Sequence, residues 1–309
     1  MALVTISDIR AAASLIAPAV VRTPLLRFDD RLSVKPESLQ PVGAFKIRGA
    51  YHALARLSDE VRARGVVAYS SGNHAQAVAF AAHAFGVPAV IVVPENAPAV
   101  KVAATRAWGA SVELVPMAER ESRAHELVDS LGATLIPPFD HPDVIAGQGT
   151  VGLEIVADQP KVDVVLVPVS GGGLISGVAA AVKALRPAAR VVGVEPELAA
   201  DAAESLRAGE LVGWPAAERE RTSADGLRAE PSELTFAHMR AYVDDVVTVS
   251  EDEIAGAVRR LARDLRLVVE PSGAVAVAAY LQRAEEWPAR TVAIVSGGNV
   301  DPEVFARMI

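Results

Sequence analysis

Pro41-Val42-Gly43-Ala44-Phe45-Lys46-Ile47-Arg48-Gly49-Ala50 decides how the rest of this chain is read. The 309 residues include twenty-five arginines but only five lysines: Lys35, Lys46, Lys101, Lys161 and Lys183. Arginine is the usual source of positive charge here. A lysine between Phe45 and Ile47, after a glycine and before a helix-like stretch, therefore invites a chemical explanation. A lysine amine forms an imine with an aldehyde; a guanidinium does not form a stable one. The plainer reading is a solvated lysine in a first helical turn, at a small cost because the positive end of the helix dipole disfavours a cation.

Outward from that stretch, apolar β-rich runs alternate with Ala-rich helical ones. The pattern predicts strands at 66–70, 89–94, 111–116, 162–169, 190–195, 246–250 and 291–296, and helices such as 75–85 and 176–185. Nearly continuous apolar strands separated by helices indicate an α/β fold with parallel sheets covered on both faces. No repeat, low-complexity tract or long flexible linker interrupts the chain. Pro137-Pro138 and Gly147-Gln148-Gly149 are candidate crossing points between two lobes.

Three further segments sit between a predicted strand and polar or helical sequence. Ser70-Ser71-Gly72-Asn73-His74-Ala75-Gln76 puts short polar side chains at a strand's carboxyl end, where α/β folds bind ligands, although Ser, Asn and Gly there also suit a plain helix cap. Ser170-Gly171-Gly172-Gly173-Leu174 lets backbone N–H groups approach a phosphate with a helix N-terminus behind them; a tight turn is the alternative. Ser296-Gly297-Gly298-Asn299 offers a hydroxyl at a third strand end. The glycines at 171, 173 and 177 miss the dinucleotide-binding spacing by one residue, yet Glu195 ends the next strand as a ribose-binding acid would, so a nicotinamide enzyme stays open as a competing class.

One imine-forming lysine, two polar strand ends and a phosphate cradle are the parts that pyridoxal 5′-phosphate (PLP) needs. The chain resembles the fold-type II PLP enzymes of the serine/threonine dehydratase and serine racemase family. The resemblance runs through 22–25, 35–40, 43–50, 70–76, 146–150, 170–174, 224–226, 270–273 and 296–301. It implies a two-lobed, tryptophan synthase β-like fold. Residues 1–64 and 143–309 would form the large PLP-binding domain, and 65–142 a small domain that closes over substrate. Lys46 would hold PLP as an imine, with Phe45 beside the ring. Asn73 would bond the ring's 3-hydroxyl, Ser170, Gly171, Gly172, Gly173 and Leu174 the phosphate, and Ser296 would face the pyridine nitrogen. A neutral serine there, rather than an aspartate, makes a weaker electron sink and suits prompt loss of a β-hydroxyl, so dehydration of L-threonine or L-serine to a 2-oxo acid and ammonia is expected. Lys46 would take the α-proton.

The same resemblance implies a substrate site at Ser70, Ser71, Asn73, His74 and Arg123. Ser71, where many threonine dehydratases have alanine, could return a proton from the opposite face, so serine racemase or threo-3-hydroxyaspartate dehydratase is the alternative activity. Glu195, the Ala199 carbonyl and Asp201 resemble a divalent-cation loop for Mg²⁺ or Ca²⁺, all hard oxygen donors. Ser170 stands where glycine is usual, and Ala229 where the racemase usually has serine. A homodimer is the family's habit.

Composition sets outer limits. With no cysteine there is no disulfide, thiolate zinc site or cysteine nucleophile. A net charge of −8 argues against nonspecific nucleic-acid binding. The longest apolar runs are strand-sized and too short to span a bilayer. No stretch reads as a signal peptide, and a cytoplasmic enzyme acting on a small amino acid is expected.

Overall fold

Val164–Pro168 reads VVLVP and is buried at every position. Such a strand needs cover on both faces, which parallel sheets with helices above and below supply. The computed structural model describes residues 2–70, 72–97 and 99–309. Its strands are β1 (Leu26–Arg27), β2 (Leu32–Pro36), β3 (Val66–Tyr69), β4 (Ala89–Pro94), β5 (Ser111–Val115), β6 (Thr134–Leu135), β7 (Val164–Pro168), β8 (Arg190–Pro196), β9 (Asp245–Val249) and β10 (Thr291–Val295). One sheet runs β1-β2-β10-β7-β8-β9 and the other β5-β4-β3-β6. Among the strands of the described residues only the β1–β2 pairing is antiparallel.

The seven strands expected from sequence all occur, within two residues at each end. Three were not anticipated. β1 and β6 are two residues long and carry no readable alternation. β2 contains Lys35 and Pro36, which disguise it. Its lysine is nonetheless fully buried, because Nζ donates to Glu154 Oε2 at 2.6 Å and to the Thr23 carbonyl at 2.5 Å.

The helix Lys46–Arg56 buries Ile47, Ala50 and Leu54, spaced i, i+3 and i+7, in a cluster with Val66 and Ala68 of β3. Burying Ile47 and Leu54 contributes about 1.5–3 kcal/mol each. The helix Pro142–Asp158 starts with Pro142 in its first turn, and the His141 side chain caps it by accepting from Asp143 N. Gly147-Gln148-Gly149 is therefore not a crossing point between lobes; it lies buried inside this helix. The glycines are there for contact. A Cβ on Gly147 would stand 2.5 Å from the Arg48 carbonyl oxygen, and one on Gly177 would stand 2.2 Å from that of Ile145. Pro137-Pro138 does lie between β6 and this helix.

Arg48, one turn-edge beyond Lys46, ties the lysine helix to the large sheet. Its Nε and Nη2 donate to Glu37 at 2.7 and 2.8 Å, and its Nη1 and Nη2 to Glu154 at 2.7 and 2.9 Å. Nη1 also reaches Thr150 Oγ1 at 3.0 Å. Glu37 additionally accepts from Thr23 Oγ1 and Gln40 Nε2. Two cations and two anions, with the Arg48, Glu37 and Lys35 side chains wholly inaccessible, thus balance inside the protein. Burial alone would raise the Glu37 carboxyl, but Arg48, Lys35 and the Thr23 hydroxyl together outweigh it and hold that carboxyl below its usual range.

Candidate active site

Lys46 is the first residue of its helix, and Phe45 before it makes no side-chain cap. What places the pair is backbone. Phe45 N donates to the Ser296 carbonyl at 3.0 Å, Gly298 N donates to the Gly43 carbonyl at 2.9 Å, and Ala44 bridges to Gly297. The loop after β10 therefore lies directly against the lysine segment. Gly43 is required here: its φ is +71°, and a Cβ would stand 2.4 Å from Asn299 Oδ1.

The Lys46 ammonium donates to the Pro138 carbonyl at 2.7 Å and lies 5.2 Å from the centre of the Phe45 ring. Burial without an acid partner lowers this amine to about 8. A lysine in such a place is a usable base and nucleophile near neutral pH, which a solvated lysine is not.

Asn73 opens the helix Asn73–Phe85 at the carboxyl end of β3. Its Nδ2 donates to Glu270 Oε1 at 2.6 Å, and its Oδ1 accepts from Asn299 Nδ2 at 2.8 Å. Asn299 Nδ2 also donates to the Val42 carbonyl at 2.8 Å. Ser296 is buried, and its Oγ donates to the Ser272 carbonyl at 3.4 Å. Lys46, Phe45, Asn73 and Ser296 are thus joined through the segments 42–45 and 296–299.

Ser170 to Leu174 joins β7 to the helix Gly173–Leu185. Gly172 has φ +84°, and no side chain caps the helix. Among the described residues the backbone N–H groups of Gly171 and Gly172 find no acceptor. A Cβ on Gly171 or Gly173 would stand 2.3 or 2.8 Å from Phe139. Bare glycine backbone at an open helix N-terminus is the chemistry that receives a phosphate. The Ser170 hydroxyl is not part of it: Oγ donates to the Ala229 carbonyl at 3.2 Å and accepts from Ala229 N at 3.0 Å. Its single proton is spent, which leaves only the Ser170 backbone for an anion.

The expected substrate residues are less uniform. Ser70 Oγ accepts from Gly72 N at 3.1 Å and shapes the turn. Ser71 lies outside the described residues. His74 is buried; its Nε2 lies 2.8 Å from the Ile136 carbonyl, which can only accept, so Nε2 carries the proton. Burial first, then the Lys46 charge, push the ring down to about 3, so it stays neutral. Arg123 is not brought to the others. It sits on the helix Arg120–Leu131, with Nε on Glu113 at 2.5 Å and Nη1 on Glu126 at 2.8 Å. Two surface carboxylates hold its guanidinium, and it makes no contact with Lys46, Asn73 or Ser296.

Glu195 ends β8, and Asp201 begins the helix Asp201–Ala208, with the turn Glu197–Ala199 between them. Both acids are buried. Glu195 accepts from Ala202 N and Ala203 N at 3.2 and 2.7 Å. Asp201 Oδ2 has no partner among the described residues. Burial and the Asp201 charge raise Glu195, and burial raises Asp201 to about 6. Two neighbouring buried carboxylates with an unsatisfied oxygen are a donor set that suits a hard cation. Among the described residues no three His, Cys, Asp or Glu side chains cluster for a metal.

Sequence reasoning gave no role to Glu270, which is buried beside Gly297, or to Lys101 and Asp225, which pair with each other. An acid before Pro271 reads locally as a helix start, and only its position beside Asn73 marks it.

The chain is 43% identical over 316 residues to L-threo-3-hydroxyaspartate ammonia-lyase of Saccharomyces cerevisiae, covering 99% of this chain and 96% of that protein. It is 44% identical over 318 residues to L-threonine ammonia-lyase of Thermotoga maritima, covering 99% of this chain and 78% of that protein. The solved structure of maize serine racemase superposes with a TM-score of 0.94 at 41% identity, covering 99% of this chain and 97% of that one. The model of the pyridoxal-phosphate dependent enzymes matches residues 16–297. A lysine set against a serine-bearing strand end and a glycine anion cradle, on a fold shared along its whole length, places the chain in the fold-type II branch of the pyridoxal-phosphate dependent enzyme family.

Proposed function

We propose that this chain is a PLP-dependent ammonia-lyase that converts L-threonine or L-serine to a 2-oxo acid and ammonia. The observation that carries this reading is Lys46: a desolvated amine without an acid partner, seated beside the neutral Ser296. Lys46, Asn73, Gly171, Gly172, Gly173, Leu174 and Ser296 would hold the cofactor, with Phe45 at its side. When bound, PLP supplies an electron sink for bonds at the substrate's α-carbon.

The residues divide the remaining work. Lys46 Nζ, lowered to about 8, takes the α-proton. Ser296 would offer the ring nitrogen a neutral hydroxyl instead of an anion. The Gly171–Gly173 backbone would hold the phosphate, and Ser70, Ser71 and Asn73 would bind the substrate carboxylate. Residues 65–142 close over the substrate and exclude water. Glu195, Ala199 and Asp201 take Mg²⁺ or Ca²⁺ as a stabilising ion away from the chemistry. The assembly is a cytoplasmic homodimer.

A second reading, serine racemase or threo-3-hydroxyaspartate dehydratase, is favoured by two of the relatives above. Proton NMR of the PLP-loaded protein with L-serine in deuterated water separates them. Pyruvate with the remaining serine still carrying its α-proton supports the lyase; α-deuterated serine without pyruvate replaces it with the racemase. No 2-oxo acid and no α-deuteration from L-serine, L-threonine or threo-3-hydroxyaspartate overturns both.

A further inference from the structure

The carboxyl of Glu270 is buried at the junction of the two sheets' loops, and the reaction described above gives it nothing to do. Its backbone N–H donates to the Gly297 carbonyl at 3.2 Å, and its Oε1 lies so close to Gly297 that a Cβ there would stand 2.3 Å away. Among the described residues it has no counter-cation in contact. It has Asn73 Nδ2, at 2.6 Å.

The bonds around Asn73 have a direction. The Val42 carbonyl can only accept, so Asn299 presents its amide nitrogen to it at 2.8 Å. That nitrogen's other hydrogen goes to Asn73 Oδ1. Asn73 must then turn its own Nδ2 to Glu270, and an ionised carboxylate can only accept. Flipping Asn73 would set its oxygen against a carboxylate and its amide hydrogens against those of Asn299. One hydrogen of Asn73 Nδ2 is used by Glu270, and the second is left to donate into the site.

We propose that Glu270 is a positioning residue for the cofactor: its carboxylate fixes the amide of Asn73 so that an N–H, not the carbonyl oxygen, faces the oxygen substituent of the bound ring. This rests on the PLP reading of the site and deepens it. Protonated Glu270 can donate as well as accept, so it no longer opposes the flipped amide, and the Asn299 contact alone is left to hold Asn73. The strength of the hold on Asn73 is therefore coupled to one proton. Burial raises this carboxyl first, Asp225 raises it further, and Lys101 and the Asn73 N–H lower it; the balance stands at about 7. Lys101, on the helix Ala99–Ala107, and Asp225, in the turn Asp225–Leu227, pair with each other, and both charges act on Glu270. They set its proton affinity in opposite senses.

The test uses the PLP-loaded protein and reads its visible absorption band and its PLP dissociation constant from pH 5.5 to 8.5. The wild type is expected to hold PLP several-fold less tightly, with a changed band, as pH falls through a midpoint near 7. The PLP phosphate itself protonates near pH 6, and Glu270→Gln separates the two effects. A glutamine, like the protonated acid, can donate as well as accept but cannot titrate, so affinity at pH 8 should already be several-fold weaker, near the wild type's acid-side value, and the step near 7 should disappear. Two surface-side variants give opposite signs. Lys101→Met removes the cation and should raise the midpoint, while Asp225→Asn removes the anion and should lower it. A merely structural Glu270 would change melting temperature without these shifts. The proposal is overturned if Glu270→Gln keeps the step, or if the two charge variants move it in the same direction or not at all. If the wild type forms no visible band with PLP, the reading of Lys46 fails and this one with it; a normal band with an unaltered step sinks this one alone.

Discussion

Replacing Arg48 with methionine should destabilise the protein heavily without touching any residue that faces substrate. The guanidinium makes two carboxylate forks, to Glu37 and Glu154, and its side chain is wholly inaccessible. Methionine fills much of the volume but leaves Glu37 buried without its main cation. Removing one member of a buried ion pair costs about 3–5 kcal/mol, because the remaining charge stays desolvated. At roughly 2 °C per kcal/mol for a chain of this size, the melting temperature at pH 7 should fall by about 6–10 °C. The pH dependence supplies a sign. Glu37 in the wild type is held below its usual value, so it contributes stability above about pH 4.3 and loses that contribution as pH falls through its folded value. Without Arg48 burial wins and raises the carboxyl, so the variant's deficit should be largest at pH 7 and shrink as the pH falls toward 4.5. Adding Glu37→Gln to Arg48→Met should recover part of the loss at pH 7. Thermal melts of the three proteins at pH 7 and 4.5 decide it. A single variant within 1 kcal/mol of wild type at pH 7, or a deficit that grows on acidification, would refute the reasoning.

Lys46→Ala should abolish both the visible band with PLP and all turnover; retained turnover would remove the basis of the proposed function. Because only the neutral amine attacks an aldehyde, the rate at which apoprotein takes up PLP should rise with pH through about 8, as burial of Lys46 dictates. Stopped-flow absorbance between pH 7 and 9 that shows a flat rate would contradict that. Gly172→Ala places a side chain at φ +84° and 2.8 Å from Thr235, so PLP affinity should drop by at least tenfold, read by equilibrium dialysis. Millimolar Mg²⁺ or Ca²⁺ should raise the melting temperature, by about 2.7 kcal/mol of stability at a hundred times the dissociation constant, and Asp201→Asn should erase the effect. An equal rise in both proteins would dispose of the metal site.

The parts legible in the sequence are those whose meaning is local. Lys46 stood out because lysine is rare here, and the glycines of 171–173 because strand and helix flank them closely. β3, β4, β7, β8 and β10 were readable because buried parallel strands are almost purely apolar, while β5 and β9, at the sheet edges, were readable from their valines despite exposed polar residues. β2 was hidden by Lys35, whose burial makes sense only beside Glu154, 119 residues away. Glu270 was silent for the same reason: its partner Asn73 is 197 residues distant. The Arg123 pairing was not legible, because a guanidinium in sequence says nothing about which carboxylates will claim it, and Glu113 with Glu126 do. Gly147-Gln148-Gly149 misled because glycine marks close approach as often as a bend.

Those glycines also set a gauge. The helix Pro142–Asp158 lies between the helix that begins at Lys46 and the one that begins at the anion cradle, and it meets both at bare α-carbons, Gly147 against Arg48 on one side and Gly149 against Gly177 on the other. The separation between amine and phosphate pocket is therefore measured out by helix thickness. A single methyl at Gly147 or Gly177 would widen an interaxial spacing that side chains tune between about 8 and 10 Å, and a misplacement of about 1 Å can cost a hundredfold in rate. Positions that touch neither cofactor nor substrate thus carry the dimension of the ligand, written as the absence of a side chain.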